Sequence, residues 1–313
     1  MRFGGLWLIF GVTAGCFAAT NPIHPLQESS TTGPTLTGAD QPYRLRLTAL
    51  VNPPSSAAGL ILKAKLNAGP ALRLILDSGA ENLVIDRRAA RKSGLATGTE
   101  LDLVGAGSPP KPARLTVAGV IDVGELTLRD CPVIVVDGQL LDGVDGVVPL
   151  SLFSAFLVRL DIPGRVLELE PYAGGRQAED PDFVSAKAQK QLLFIETRLA
   201  GAHDGYLLLD TGSSFNVISN AAAAALRQAS SLAHPVPLVA GPGVTDGRLL
   251  PCGVSFRLGR RALALDPVVA VDLEQMSRRH GIDISGVIGY PALAGSVVTV
   301  NYRESLVRIQ PKR

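Results

Sequence analysis

The sequence of 313 residues carries one pattern of strand, turn and strand in each half, and this internal repeat constrains the fold more than any other feature. In the first half, the apolar run 72–76 (LRLIL) leads into DSGA at 77–80. In the second half, the run 206–209 (YLLL) leads into DTGS at 210–213, and a second apolar run follows each turn. Because the repeat spans half of the chain, it predicts a duplicated domain and not a solenoid of short units.

The repeat continues downstream of both turns. Four further pairs of segments correspond: 104–107 with 239–243, Gly124 with Gly259, 131–137 with 266–272, and 145–149 with 285–289. Each half then ends in a predicted β-hairpin, over 156–170 and over 297–309. A short helix is predicted after each turn, over 87–93 and over 220–228, with Asn220 as the N-cap of the second. Two β-rich lobes of the same plan follow from this pattern.

The composition agrees with a globular chain of many short strands. Hydrophobic residues make up 46% of it, and 33 glycines and 22 prolines punctuate the apolar runs. The net charge is +2, without a block of Lys and Arg large enough to cover a phosphate backbone. We therefore expect no nucleic-acid partner.

The N-terminal residues 1–19 have the features of an export signal. Arg2 supplies a positive charge, residues 6–14 form a short apolar core, and the small residues Ala18 and Ala19 suit cleavage. The apolar run is too short for a membrane span, so no integral span is expected after cleavage. The chain is expected to be periplasmic or secreted.

An alternative N-terminal processing is lipid attachment at Cys16, which would anchor the chain to a membrane. Residues 20–42 are rich in Thr, Ser, Gly and Pro and predict a flexible spacer. The remaining boundaries divide the chain into a first lobe (43–172), an inter-lobe linker (173–190) and a second lobe (191–313). Cys131 and Cys252 either form a disulfide or remain buried free thiols, and the sequence leaves both open.

A D-[ST]-G turn at the end of a buried strand holds a carboxylate at a fixed depth. Gly79 and Gly212 let the backbone approach closely, so that N–H groups reach the carboxylate. The hydroxyls of Ser78 and Thr211 are expected to bond to the backbone and lock each loop. One such sequence alone is commonly a structural turn, but two matching copies predict a pair of facing acids.

The facing acids are Asp77 and Asp210. Two adjacent carboxylates cannot both ionise cheaply, so the pair holds one proton. The ionised member can take a proton from a water, and the protonated member can donate to a substrate carbonyl and later to a leaving amine. This chemistry hydrolyses a peptide bond with neither a metal nor a cofactor.

The two turn sequences, at 77–80 and 210–213, resemble the active-site motifs of the pepsin and retropepsin clan of aspartic proteases. They are most similar to the bacterial retropepsin-like members, here with both lobes in one chain. The sequence VIG at 287–289 is similar to the apolar-apolar-Gly segment that packs behind each catalytic turn in that clan. The resemblance runs roughly from residue 59 to 309. It implies an all-β acid-protease fold, with two similar β-barrel-like lobes related by a pseudo-twofold, short helices and a cleft between the lobes.

The resemblance also implies flaps above the cleft. Their candidate hinge residues are Gly105 and Gly107 in the first lobe, and Gly241 and Gly243 in the second. The first lobe departs from the clan pattern in two ways. Pro149 stands where the pattern has Gly, and the first flap segment lacks the Tyr that pepsins use.

The function expected from these residues is that of an aspartic endopeptidase acting on peptide or protein substrates, with Asp77 and Asp210 as the catalytic pair. A monomer is expected, because one chain contains both motifs. The alternative is a catalytically silent cleft protein of the same fold that binds peptides or cell-envelope partners. Two buried carboxylates argue against it, because a binding cleft has no need of them.

Other catalytic classes have less support in the sequence. The four histidines, His24, His203, His234 and His280, show no metal-ligand spacing. The serine pair at 213–214 lies in no G-x-S-x-G elbow, so a serine hydrolase is not expected.

Overall fold

A computed structural model gives the fold, and it describes residues 6–8, 13–15, 34–52, 57–95, 98–104, 111–138, 140–172, 180–226, 234–240 and 243–312. The strands of the first half are β1 (Leu6–Leu8), β2 (Thr13–Gly15), β3 (Thr35–Thr37), β4 (Tyr43–Arg46), β5 (Thr48–Asn52), β6 (Ala57–Leu66), β7 (Ala71–Asp77), β8 (Leu83–Asp86), β9 (Thr99–Val104), β10 (Lys111–Val123), β11 (Leu126–Val136), β12 (Gly146–Pro149), β13 (Phe156–Asp161) and β14 (Val166–Pro171). Those of the second half are β15 (Val184–Gln189), β16 (Leu192–Leu199), β17 (His203–Leu209), β18 (Asn216–Ser219), β19 (His234–Ala240), β20 (Gly243–Leu249), β21 (Val254–Leu258), β22 (Arg261–Leu265), β23 (Val268–Val271), β24 (Ile284–Ile288), β25 (Ser296–Asn301) and β26 (Leu306–Pro311). The helices are α1 (Arg87–Lys92), α2 (Asn220–Ala225), α3 (Glu274–His280) and α4 (Tyr290–Leu293), with a 3-10 turn at Leu150–Phe153.

The same four-strand arrangement surrounds both D-[ST]-G turns. In the first lobe, β12 pairs in parallel with β7 and antiparallel with β8, which in turn pairs in parallel with β11. In the second lobe, β24 takes the place of β12, between β17 and β18, and β23 takes the place of β11. The duplication seen in the sequence is therefore a duplication of strand topology.

Two glycines at matching positions allow these strands to pack. A Cβ on Gly146 would lie 2.3 Å from the carbonyl oxygen of Val84, and a Cβ on Gly286 would lie 2.2 Å from that of Val217. Both distances are far below a van der Waals contact, so a side chain at either position would push apart the strands behind the turn.

A shared sheet joins the lobes. Its strand order is β4-β14-β13-β25-β26-β15, and its central pair joins the predicted hairpins of the two halves. Strands β13 and β25 run antiparallel, with Leu157 opposite Asn301 and Asp161 opposite Val297. Both hairpin predictions are confirmed. The main hydrophobic core also crosses the boundary between the lobes, since it includes Phe156 and Phe256.

The two predicted helices form at their predicted positions with one correction, whereas α3 and α4 were not predicted. Helix α1 is capped by Asp86, whose Oδ1 accepts a hydrogen bond from the N–H of Ala89 at 2.6 Å. Helix α2 begins at Asn220, but its N-cap is Ser219, whose Oγ accepts from the N–H of Ala222 at 3.0 Å. Asn220 was therefore the wrong cap, because Ser219 still has the extended backbone of β18 that a capping residue requires.

The lobes extend into the stretch predicted as a flexible spacer and into the one predicted as an inter-lobe linker. Within residues 20–42, β3 pairs with β11, with Leu36 opposite Leu128. Within residues 173–190, β15 adds to β16 and β26. These strands are short and mostly exposed, so their polar composition does not reveal them as strands in the sequence. Residues 16–33 and 173–179 lie outside the described residues.

Little of the predicted signal sequence is described. Strand β1 pairs in parallel with β19, and β2 pairs antiparallel with β9. Within the described ranges, no helix is long and apolar enough to cross a membrane.

Candidate active site

Each lobe places one aspartate at the carboxyl end of a buried strand. Asp77 is the last residue of β7, and Asp210 follows β17 directly. Both side chains are fully buried. Strand β7 lies between β6 and β12 in its sheet, β17 lies between β16 and β24, and the apolar residues that lead into each aspartate are buried. Burial of both carboxyl groups is thus a consequence of the strand pattern.

Backbone N–H groups of the turns hold one oxygen of each carboxylate. The N–H of Gly79 donates to Asp77 Oδ1 at 2.6 Å. The N–H groups of Gly212 and Ser213 donate to Asp210 Oδ1 at 2.9 and 2.8 Å. The other oxygen, Oδ2, has no N–H or O–H donor among the described residues in either aspartate. Each acid therefore keeps one oxygen available for chemistry.

The glycine of each turn lies directly against the aspartate of the other. A Cβ on Gly79 would lie 2.4 Å from Asp210 Cγ, and a Cβ on Gly212 would lie 2.4 Å from Asp77 Cγ. Any side chain at either position would collide with the opposite carboxyl group. The sequence predicted that these glycines allow close approach within their own turn, and the structure shows that they also admit the opposite acid.

The hydroxyl groups of Ser78 and Thr211 connect the two turns. Ser78 Oγ donates to the carbonyl of Leu209 at 2.9 Å, and Thr211 Oγ1 donates to the carbonyl of Leu76 at 2.9 Å. Both carbonyls belong to the strand that leads into the other aspartate. The sequence predicted a lock within each loop, whereas the bonds run between lobes, a feature that only the three-dimensional pairing reveals.

The two carboxyl groups lie close together, and each affects the pKa of the other. Burial raises the pKa of Asp77 to about 6, against the hydrogen bonds from Asp210 and the turn N–H groups, which lower it. Burial, and next the charge of Asp77, raise the pKa of Asp210 well above its usual range. Because neighbouring buried carboxyl groups oppose each other's ionisation, the two acids are expected to titrate as a pair. Such a pair can act as general base and general acid together.

Pro149 fits its place in the first lobe. In the second lobe, the equivalent Gly289 donates its N–H to Asn216 Oδ1 at 3.0 Å. In the first lobe, Leu83 stands where the second has Asn216, and it has no acceptor to offer. Since proline has no N–H, the first lobe lacks both the donor and the acceptor of this hydrogen bond. Pro149 still pairs in register with Asp77, so the strand behind the turn is preserved.

The sequence did not predict that the residue four positions after each aspartate contacts the other lobe. Glu81 is nearly buried and lies 3.4 Å from the guanidinium of Arg279 in the second lobe. Ser214 Oγ accepts from the N–H of Ala58 in the first lobe at 3.0 Å and donates to its carbonyl at 3.2 Å. The equal offset from the two aspartates was the available signal, although the unlike residue types concealed it.

The flap candidates are only partly described. Gly105, Gly107 and Gly241 lie outside the described residues, and Gly243 is the first residue of β20. The flanks of both segments are antiparallel strands, β9 with β10 and β19 with β20. The hinge role of these glycines stays a prediction.

The remaining candidates take structural places. His203 Nε2 lies 3.0 Å from Ser285 Oγ, and His280 is buried beside Glu81. Cys131 and Cys252 form no disulfide in the structure, and the alternative of buried free thiols holds for Cys131 but is wrong for Cys252, which is exposed. Among the described residues, no group of three or more His, Cys, Asp or Glu is arranged to hold a metal ion.

Comparison with known proteins agrees with this architecture. Residues 62–148, which include the first turn, match the family model described as aspartyl protease. The crystal structure of aspartic proteinase from Irpex lacteus is similar, with a TM-score of 0.58 and 13% sequence identity over 87% of this chain and 98% of that chain. No curated protein matches the sequence. The two-lobed, all-β acid-protease fold and the resemblance to the aspartic protease clan are confirmed.

Proposed function

We propose that this chain, which has the fold of the aspartic proteases, is an aspartic endopeptidase that hydrolyses peptide bonds with a water activated between Asp77 and Asp210. The observation that carries the proposal is the pairing of two fully buried carboxyl groups, each with an unpartnered Oδ2. Burying an ionisable acid costs free energy. Buried acids with strongly shifted pKa values are concentrated at functional sites, which supports a catalytic role for this pair.

The proposed mechanism uses the shared proton. The ionised carboxylate removes a proton from a water held between the acids, and the resulting hydroxide attacks the scissile carbonyl carbon. The protonated carboxyl donates a hydrogen bond to the carbonyl oxygen as negative charge develops there. The proton taken from the water then passes to the leaving amine. The turn N–H groups hold Oδ1 of each acid, so neither carboxyl group has to rotate during the cycle.

The substrates are proposed to be extended peptides or unfolded protein segments, bound by a monomer without a cofactor. The chain is proposed to act after export, in the periplasm or outside the cell. N-terminal sequencing of the protein purified from its native compartment tests the export proposal. A new terminus near residue 20 supports it, whereas a blocked, lipid-bearing Cys16 supports membrane anchoring instead.

The activity is tested with the purified mature chain on casein and on a peptide library, from acid to neutral pH. Cleavage is expected, with inhibition by a statine-type compound. Asp77→Asn and Asp210→Asn should each abolish it. Asp86→Asn is the matched control, because asparagine caps helix α1 as well as aspartate does. Cleavage that survives either substitution in the pair excludes a shared dyad. Peptide binding without cleavage would support the silent cleft protein.

A further inference from the structure

The two turns hold the opposite lobe through residues at the same position. Glu81 and Ser214 are each the fourth residue after an aspartate, and each contacts the other lobe. The contacts differ in chemistry, since one is an ion pair and the other a pair of hydrogen bonds to backbone. Their equal place in the repeat indicates a common role, which is to fix the two turns relative to each other.

The contact of Ser214 ties the second turn to the first lobe. Its hydroxyl bonds to both backbone groups of Ala58, in strand β6. Strand β6 pairs antiparallel with β7, with Ile61 opposite Ile75, and β7 ends at Asp77. Ser214 therefore grips the scaffold that carries the opposite aspartate.

The contact of Glu81 is the reciprocal one. Its Oε2 lies 3.4 Å from Arg279 Nη2 and its Oε1 lies 3.6 Å from His280 Nε2, both on helix α3. The glutamate side chain is 8% exposed, that of Arg279 18%, and that of His280 is fully buried. The His280 ring also packs against Phe194 of β16, with 5.4 Å between the ring centroids.

Helix α3 is fastened to the strand behind the second turn. The N–H of Ile284, the first residue of β24, donates to Ser277 Oγ at 3.1 Å. At the other end of β24, the carbonyl of Ile288 accepts from the N–H of Asp210 at 3.0 Å. The path from Glu81 to Asp210 thus runs through one helix and one strand.

We propose that Glu81 is a positioning residue, whose ion pair with Arg279 fixes the first turn against helix α3 and so holds Asp77 at its distance from Asp210. The proposal rests on the proposed peptidase function. A buried ion pair adds little net stability. The attraction between its charges offsets their desolvation only when the two groups are well placed, which suits a positioning role. In the described part of the chain, His280 and Lys190 also act on Glu81. His280 is neutral near pH 7, because burial lowers its pKa to about 4, so Arg279 supplies the contacting charge.

The kinetic test compares Glu81→Gln and Arg279→Gln with the parent enzyme on one peptide substrate. Each should lower kcat by about tenfold or more while KM changes less than about twofold, because the substitution displaces the acids and not the substrate. Arg279→Lys, which keeps the charge, should recover most of kcat. Arg278→Gln is the control, since Arg278 is the neighbouring residue on α3 and pairs with the exposed Glu274.

The pH profile separates positioning from general stability. Adjacent acids titrate far apart because each opposes the ionisation of the other. If loss of the ion pair lets the acids separate, the bell-shaped profile of kcat narrows in Glu81→Gln. A purely structural role would lower the amount of folded enzyme and leave both limbs in place. If kcat and the pH values of both limbs of its profile are unchanged in Glu81→Gln and Arg279→Gln, the proposal is overturned.

A second measurement does not depend on activity. Denaturant unfolding of the parent, both single variants and the double variant forms a double-mutant cycle. The double variant should lose clearly less free energy of unfolding than the sum of the losses in the two single variants. If the losses in free energy of unfolding are additive, Glu81 and Arg279 do not interact, and the proposal is overturned. If the parent chain cuts nothing, the peptidase proposal fails while this cycle still tests the contact. If Glu81→Gln does not fold, the comparison of Arg279→Gln with Arg279→Lys decides.

Discussion

The side chains of Ser78 and Thr211 face each other across the two lobes, and each hydroxyl oxygen accepts a hydrogen bond from the backbone N–H of the other residue, at 3.0 Å in both directions. Each hydroxyl also donates to a carbonyl of the opposite lobe. Four hydrogen bonds therefore close one buried ring that contains both turns. A ring of this kind transmits the position of one turn to the other.

Removing one hydroxyl from the ring should destabilise the fold. Thr211→Ala leaves the N–H of Ser78 and the carbonyl of Leu76 buried without their partner, which should lower the free energy of unfolding by about 2–4 kcal/mol. Thr211→Ser keeps both bonds and should lose less than about 1.5 kcal/mol, mainly from the missing methyl group. Urea unfolding followed by circular dichroism measures both. Equal losses in the two variants would mean that the hydroxyl bonds contribute nothing.

Adding a methyl group to the glycine of either turn should strongly lower activity. In Gly79→Ala or Gly212→Ala the new Cβ would lie about 2.4 Å from the opposite Cγ, so the carboxyl groups must move apart. A displacement of this size should lower kcat by roughly a hundredfold or more. Gly295→Ala is the matched control, because no atom lies within 4 Å of its Cβ position. Substantial activity in Gly79→Ala would contradict the close approach of the turns.

Much of this architecture follows from sequence, because it is written as a local pattern in two copies. The strand that ends at Asp77 and the one that ends before Asp210 are both apolar runs followed by the same turn. Contacts between the copies are different. Glu81 and Arg279 are 198 residues apart, and no periodicity links them. The sequence predicts what each half repeats, whereas the contacts that join the halves depend on packing.

The departure at Pro149 illustrates the same limit. Taken alone, a proline in place of glycine suggests disturbed packing behind Asp77. The structure shows that the change at Leu83 accompanies it, because the acceptor that Asn216 provides in the second lobe is absent in the first. The residue type at 149 can therefore be explained only together with the residue type at 83.

The joint change at Pro149 and Leu83 predicts that substitutions at these two positions are coupled. Pro149→Gly creates a buried N–H opposite an apolar side chain and should lower the free energy of unfolding by about 1–3 kcal/mol. Leu83→Asn alone should also destabilise, because it buries an amide that lacks its donor. The double variant recreates the arrangement of Asn216 and Gly289, so it should lose less than the sum of the singles. Strictly additive losses in urea unfolding would show that the two positions act independently.

The shared proton should make stability depend on pH in a defined direction. The pKa of Asp77 lies at about 6 in the folded protein, above its ordinary value of 3.8, so the folded state binds a proton that the unfolded state releases. The contribution to stability is fully present below pH 3.8 and is lost as the pH rises through about 6. Its size is on the order of 2–3 kcal/mol. His280 acts in the opposite sense, since its pKa is lowered to about 4, and its contribution is lost as the pH falls from 6.5.

Comparing the parent with Asp77→Asn isolates the dyad from His280, which both proteins contain. Urea unfolding at intervals from pH 4 to pH 7 should show the difference in stability, variant minus parent, moving in favour of the variant as the pH rises. The reason is that the amide carries no charge to bury, while the parent must ionise a carboxyl group inside the core. A difference that stays constant over this range would mean that Asp77 titrates as an ordinary exposed acid, and the shared proton required for the proposed hydrolysis would then be absent.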